Sequence, residues 1–451
     1  MAENLSEITR LDQLRELMMG AGATRIVFKR LAPNDNSKNQ IYLGGDYSAL
    51  QILPFSDVTA DISKKDSKRD RFKAKVKLQW LNDNGSLNDA PTTQLILYPK
   101  YPEVRLSGFL KRAKVKPSKY LGSRDEGRVL ILGTSADGRI IGHVIGADNP
   151  LNRELEPYQA EDRQGVLVEL PLRDELADTR GQLLAALLAI HQKGWIDSVK
   201  LDKDGQAHPY SALNGGGYTM EAQLGVIPNG TNEPDFLGWE IKQHKSPALD
   251  QPLKGGALTL MTPEPTGGYY KIHGAEDFVR TFGYPDKNGK PDRLNFGGVH
   301  KFGQRQALTG LIMELDGFDI KTGKIDDING GIVLRAADGT EAAVWYYKTL
   351  IEKWQRKHAK AAFIPSLSRK NPGPQYHYGH VIGLGEKSSI SNFLAAMAET
   401  AVYYDPGIKL EFASQPKPPR KMKKRSQFRV SPKNLPALYE TFSVVDLLRH
   451  H

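Results

Sequence analysis

NGGGYTMEAQLGVIPNGTNEPDFLGWEIKQHK, residues 214–245, decides how the rest of the chain is read. Its opening, three glycines followed by Tyr218 to Gly225, reads as a helix that carries Glu221. Pro228, Asn229 and Gly230 mark a turn-rich loop. Trp239 to Lys242 then alternates like a strand, which puts Glu240 and Lys242 on one face and Trp239 and Ile241 on the other. Asp235 stands at the mouth of that strand, where a bend can bring its carboxylate beside Glu240. Two carboxylates and a lysine at a strand end suit phosphodiester hydrolysis with magnesium. The carboxylates hold a hard cation that keeps several waters. The metal acidifies a bound water, and the lysine orients that water and stabilises charge on the phosphate. Glu240 and Lys242 form the only Glu-x-Lys in the sequence. The bland alternatives are a solvated ion pair on an edge strand and, for Glu221, a surface glutamate on a helix.

Composition sets the frame around this stretch. A chain of 451 residues has room for about two to three domains. With 39% hydrophobic and 25% charged residues it has ordinary globular content. The absence of cysteine excludes disulfides, thiol nucleophiles and cysteine zinc sites together. No run has the length and apolarity of a membrane span, and MAENLSEITR lacks the apolar core of a signal peptide, so a cytoplasmic location is expected. The net charge of +10 points to a polyanionic partner, of which nucleic acid is the commonest.

Upstream, residues 5–20 read as a short helix stopped at Gly20, and residues 20–147 as a mainly β domain. Its strands are expected at 25–30, 40–43, 72–80, 94–98 and 128–132, with a hairpin around Ser135–Arg139. Residues 149–178 read as a linker plus one short strand. Gly181 to Lys193 is a helix stopped at Gly194, and the remainder mixes helices and strands. Helices are expected near 343–359 and 388–400 and strands near 361–364 and 407–413, then a basic loop and a final strand and helix. Lys73, Lys75 and Lys77 share a face of the 72–80 run, either as edge protection or as a phosphate-tracking surface. His377 and His380 are spaced for a metal but lack a third ligand, and read as a polar loop.

The run Gly-Gly-Gly-Tyr-Thr-x-Glu-x-x-Leu-Gly (215–225), Pro-Asp-Phe (234–236), Glu-Ile-Lys (240–242) and His244 resembles the MvaI/BcnI family of restriction endonucleases, which are PD-(D/E)xK nucleases. Later segments resemble the family in the same order: 257–262, 278–286, 295–300, 345–357 and 428–430. The resemblance covers about residues 178–451 and implies an α/β nuclease domain with a mixed central sheet. It implies that Asp235 and Glu240 hold Mg2+, that Lys242 is the catalytic lysine and that Glu221 is an auxiliary acid. It further implies a monomer cutting double-stranded DNA at a short GC-rich, nearly palindromic site of the CCWGG kind, with a cognate DNA methyltransferase as its genetic partner.

Residues 28–38, running on to Gln40–Leu43, resemble the opening of the B3-like DNA-binding domain of EcoRII-type enzymes. Lys100 to Lys116 would supply its second arm. The implied layout is a mainly β, B3-like pseudobarrel effector domain (1–150), a linker (151–177) and the catalytic domain (178–451), with one DNA site bound per domain. Expected DNA contacts are Lys29, Arg30, Asn34, Lys38, Arg105, Lys111 and Arg112 in the first domain. In the second they are His300, Lys421, Lys423, Lys424, Arg425 and Arg429, the last five from a segment (417–429) with seven basic residues. Competing readings are a defence or repair nuclease recruited to modified DNA, and a DNA-binding protein whose nuclease fold is inert.

Overall fold

The structure, a computed structural model, describes residues 7–44, 48–61, 71–98, 103–158, 163–164, 166–172, 179–212, 214–228, 234–358, 360–415 and 421–449. Its contacts divide the chain into two compact units, Met1–Asp178 and Thr179–His451. The whole is a mixed α/β protein, mostly strands in several sheets. No helix among the described residues is long and apolar enough to cross a membrane.

In the first unit, α1 (Leu11–Gly20) presents Leu11, Leu14 and Met18 to the core, as its apolar spacing requires. The core continues through β1 (Ala23–Arg30), where Ile26 and Phe28 are fully buried. The 72–80 run does not form one strand. It breaks at Val76 into β2 (Arg71–Lys75) and β3 (Lys77–Leu81), which belong to different sheets. β2 lies in a five-stranded sheet with Ile41–Gly44, Ser56–Asp61, Gln94–Tyr98 and Glu103–Ser107. β3 lies in a seven-stranded sheet beside the hairpin of β4 (Val129–Ser135) and β5 (Arg139–Ile145). Alternating burial persists across the break, so periodicity alone could not reveal the corner. Lys73 bridges Asp61 at 2.8 Å and Lys75 bridges Asp57 at 3.3 Å, which ties both to acids of the neighbouring strand. Lys64, Lys65, Lys68 and Arg69 lie outside the described residues.

The stretch read as a linker is built into this unit. It holds a helical turn (Leu151–Glu154), and β6 (Leu167–Leu170) pairs antiparallel with β1. Val168 and Leu170 lie in the core with Leu151 and Leu155.

The second unit opens with α2 (Thr179–Gln192), ended at Gly194 in the left-handed conformation (φ +68°). α3 (Gly215–Gln223) follows. Its central sheet contains β7 (Glu240–Lys245), parallel to β8 (Lys360–Arg369). β9 (Gln375–Tyr378) and β10 (Val381–Ser388) pair antiparallel with β8. The last strand, β11 (Tyr439–Asp446), pairs antiparallel with β10. Leu183, Leu187 and Ile190 of α2 pack with Trp239, Ile241, Ile364 and Ile382 in one core.

Two expected helices are not as read. Residues 341–346 form a strand, with Ala342 to Trp345 buried against Gly331–Arg335, and only Tyr347–His358 is helical. The final segment has no α-helix among the described residues. Pro432–Leu438 forms a 3-10 helix containing Pro436, and the chain then extends as β11.

Candidate active site

The Asp235–Lys242 geometry comes from a tight turn. Phe236 and Trp239 exchange backbone hydrogen bonds of 3.0 and 2.8 Å, closing a two-residue loop. Leu237 (φ +49°) and Gly238 (φ +81°) both sit in the left-handed region, as a type I′ hairpin turn demands. This folds Asp235 back onto the start of β7, where its Oδ2 accepts a 2.9 Å hydrogen bond from the Ile241 amide. The expected bend therefore exists. On β7 the Lys242 ammonium donates to Glu240 Oε1 at 2.5 Å. Glu240 is 1% exposed and the Lys242 side chain 20%, so the pair sits under cover with the lysine facing outward. Trp239 and Ile241 point into the core, as the alternation requires.

Glu221 rides half-buried on α3, which packs against β7. The glycines ahead of it permit that packing. A Cβ on Gly216 would stand 2.6 Å from Gln243 Oε1 and 3.0 Å from the Tyr376 ring, and one on Gly215 would stand 2.6 Å from Ser198 Oγ. The Tyr378 hydroxyl donates to the Gly216 carbonyl at 2.8 Å in a buried contact. Gly216→Ala should therefore push α3 off the strand. We expect a loss of about 1–3 kcal/mol in stability, as for an overpacked core, together with a drop in DNA cleavage, read by thermal melting and a plasmid nicking assay.

The donor set suits a hard cation. Asp235 and Glu240 offer carboxylate oxygens on adjacent arms of the turn. Among the described residues no group of three or more His, Cys, Asp or Glu side chains could cage a metal. A cation here would complete its shell with main-chain carbonyl, water and substrate phosphate, which is how Mg2+ is usually held.

The expected DNA contacts separate into exposed and structural groups. Asn34, Lys38, Lys111 and Arg112 are exposed, as are Lys421, Lys423, Lys424 and Arg425. Lys424 lies 3.8 Å from Glu264. Arg105 pairs with Glu103 at 3.0 Å and lies over the Tyr98 ring. Arg30 hydrogen-bonds Asn152. Three residues are engaged within the protein. Lys29 is buried and paired with Asp35. Arg429 holds Asp405 at 2.8 Å and the Ala257 carbonyl at 2.6 Å. His300 is fully buried, stacked on Phe296, with Nδ1 donating to the Gly298 carbonyl and Nε2 accepting from the Thr309 hydroxyl. His377 and His380 sit against His191 as a ring cluster, His377 stacked at 5.3 Å.

Burial pulls His300 and His244 down from 6.5 to about 4. Both are neutral when folded and take up protons more readily when unfolded. Stability from these two rings is complete above pH 6.5 and is lost as pH falls toward 4. The melting temperature of the second unit should fall across that window, and His300→Gln should flatten the fall. An unchanged melting temperature from pH 7 to 4.5 would contradict it.

A buried arginine escaped the sequence reading. Arg128, 1% exposed, donates to the carbonyls of Asp125, Asp35, Tyr120 and Ala32. In sequence it is an unremarked basic residue before a strand.

Comparison with known proteins adds the class. The MvaI/BcnI restriction endonuclease family matches residues 184–439, more than half of the chain. The chain belongs to that family. Among solved structures, the restriction endonuclease MvaI in complex with its cognate DNA substrate is 18% identical. It covers 59% of this chain and 98% of its own, with a TM-score of 0.44. MvaI in the absence of DNA is 15% identical, covers 60% and 100% respectively, and has a TM-score of 0.34. The family match, not these superpositions, carries the assignment. No curated protein matches the chain.

Proposed function

We propose that the second unit is a magnesium-dependent, sequence-specific endonuclease acting on double-stranded DNA, with Asp235, Glu240 and Lys242 as its working residues and Glu221 as an auxiliary acid. The observation that carries this reading is the turn at Leu237–Gly238, which sets the Asp235 carboxylate against the strand bearing Glu240 and Lys242. Asp235 and Glu240 would hold the cation. When bound, it would supply charge neutralisation at the phosphate and an acidified water. Lys242, with its ammonium already oriented by Glu240, would donate to the scissile phosphate oxygen and position the attacking water. Glu221 would order water on the side of α3.

The first unit reads as a B3-like effector domain that binds a second DNA site, as in a type IIE enzyme. Its support is a two-sheet β architecture and the exposed Asn34 and Lys38, on a loop whose base is fastened by Arg128. Lys111 and Arg112 would form the second arm. The basic strand Lys421–Lys423, with Lys424 and Arg425, would contact the backbone of the cleaved duplex. We read the enzyme as a monomer of the bacterial cytoplasm, recognising a GC-rich site of the CCWGG kind and accompanied by a methyltransferase that protects the host. Digestion of unmodified DNA with Mg2+, followed by sequencing of the ends, tests this directly. One consensus at every end supports it, and random ends overturn it.

Truncation gives a second test. A cut after residue 150 would strip β6 from its partner β1, so the boundary belongs at 178. Residues 179–451 should express as a folded protein with one melting transition and cleave with altered efficiency. Insoluble protein would argue that the two units share one core.

A further inference from the structure

The first unit contains a cleft of about 230 Å3 between the end of β3, the Lys116–Tyr120 segment and β5. His143 forms part of its floor at 7% exposure. Its Nδ1 lies 3.0 Å from the Leu81 carbonyl, which can only accept, so Nδ1 carries the proton and Nε2 offers a lone pair. Burial lowers the pKa of this imidazole and keeps it neutral. Two carboxylates stand within electrostatic reach of it, Asp83 and Glu7. Asp83 accepts from the Ile8 amide at 3.3 Å through one lone pair of Oδ1, and its Oδ2 has no hydrogen-bond partner among the described residues. Glu7 accepts from the Tyr120 hydroxyl, and the Tyr120 ring forms a wall with the Lys119 ammonium 5.0 Å from its centroid. Lys116 and Lys119 are exposed at the rim, where Lys119 also lies 3.9 Å from Glu7 Oε1 and Lys116 3.5 Å from the Leu110 carbonyl.

The cleft therefore asks for two things at once: N–H donors within and an anion at the mouth. A bare ammonium would satisfy the carboxylates and meet repulsion from the rim lysines. A metal has no cage here among the described residues. The size suits a single heterocycle, being below the roughly 300–1,000 Å3 typical of larger ligands. We propose that this cleft takes one nucleotide through an N–H-rich base edge, guanine ahead of the others. Guanine sets N1–H beside its N2 amino group, so one carboxylate can accept both. Adenine and cytosine place a ring acceptor beside the amino group, and uracil has no amino group. The inference extends the reading of this unit as a DNA-binding module. The same chemistry is offered by a guanine swung out of a duplex or by a free guanine nucleotide.

Calorimetric titration of the full chain with GMP, AMP and UMP tests it, reading binding without cleavage. Asp235→Ala protein should give the same isotherms, which separates this result from the fate of the nuclease assignment. GMP should bind about tenfold more tightly than UMP, the worth of one charge-assisted pair. Asp83→Asn and His143→Gln should each remove most of that preference while melting within the range of the parent protein. Equal affinities, no heat at millimolar nucleotide, or an undiminished preference in folded Asp83→Asn would overturn the proposal. A duplex carrying 2-aminopurine next to a guanine then distinguishes the source. Brightening that excess GMP suppresses assigns the cleft to an extruded base. A dark duplex with GMP binding intact assigns it to a free nucleotide.

Discussion

Replacing Lys242 with alanine should slow duplex cleavage by on the order of a thousandfold, while DNA binding stays within a few-fold. The expectation follows from how the side chain is held. Its Nζ sits 2.5 Å from Glu240 Oε1, and the Glu240 carboxylate is 1% exposed. The ammonium thus balances a buried charge and points its remaining donors outward. Alanine removes both functions, and Glu240 loses its ammonium partner in a poorly solvated place. Asp235→Ala should have a comparable kinetic effect for a different reason. It removes one proposed cation ligand and the carboxylate that fixes the Ile241 amide. Single-turnover cleavage with and without Mg2+, alongside a mobility-shift assay in chelator, separates chemistry from binding. Wild-type rates in either variant would remove these residues from the site.

Arg128→Ala should destabilise the first unit by about 3–5 kcal/mol, a large part of the stability of an ordinary domain. One guanidinium ties four carbonyls together, those of Asp125, Tyr120, Ala32 and Asp35. The last two belong to the loop that presents Asn34 and Lys38. Alanine leaves those acceptors short of donors in a buried setting, where each lost hydrogen bond is costly. Lysine does not rescue it, because a single ammonium cannot span the fork of donors. Urea titration should show the first unit melting early, while the transition of the second unit stays where it is in the parent protein. A Cm within experimental error of the parent would refute the role given to Arg128.

The candidate site was legible because its order is local. Glu240, Lys242, Trp239 and Ile241 follow strand alternation, and Leu237–Gly238 supplies the turn only three residues after Pro234. The glycines at 215 and 216 were visible as a signal, but their reason was not. It lies in Gln243, Tyr376 and Ser198, the first distant by 27 positions from Gly216 and the second by 160. Non-local pairing also explains the misread elements. Residues 342–345 have a composition that either a helix or a buried strand tolerates, and Gly331–Arg335 decides for the strand. Lys29 and His300 look like exposed polar residues in sequence. Asp35 and Thr309, only six and nine residues further on, bury them with satisfied partners.

The break at Val76 carries a consequence for how the first unit comes apart. A single uninterrupted length of backbone is a rung in both of its sheets. Neither sheet can unravel past that rung without pulling on the other, so amide protons of both should exchange in one concerted opening rather than in two separate ones.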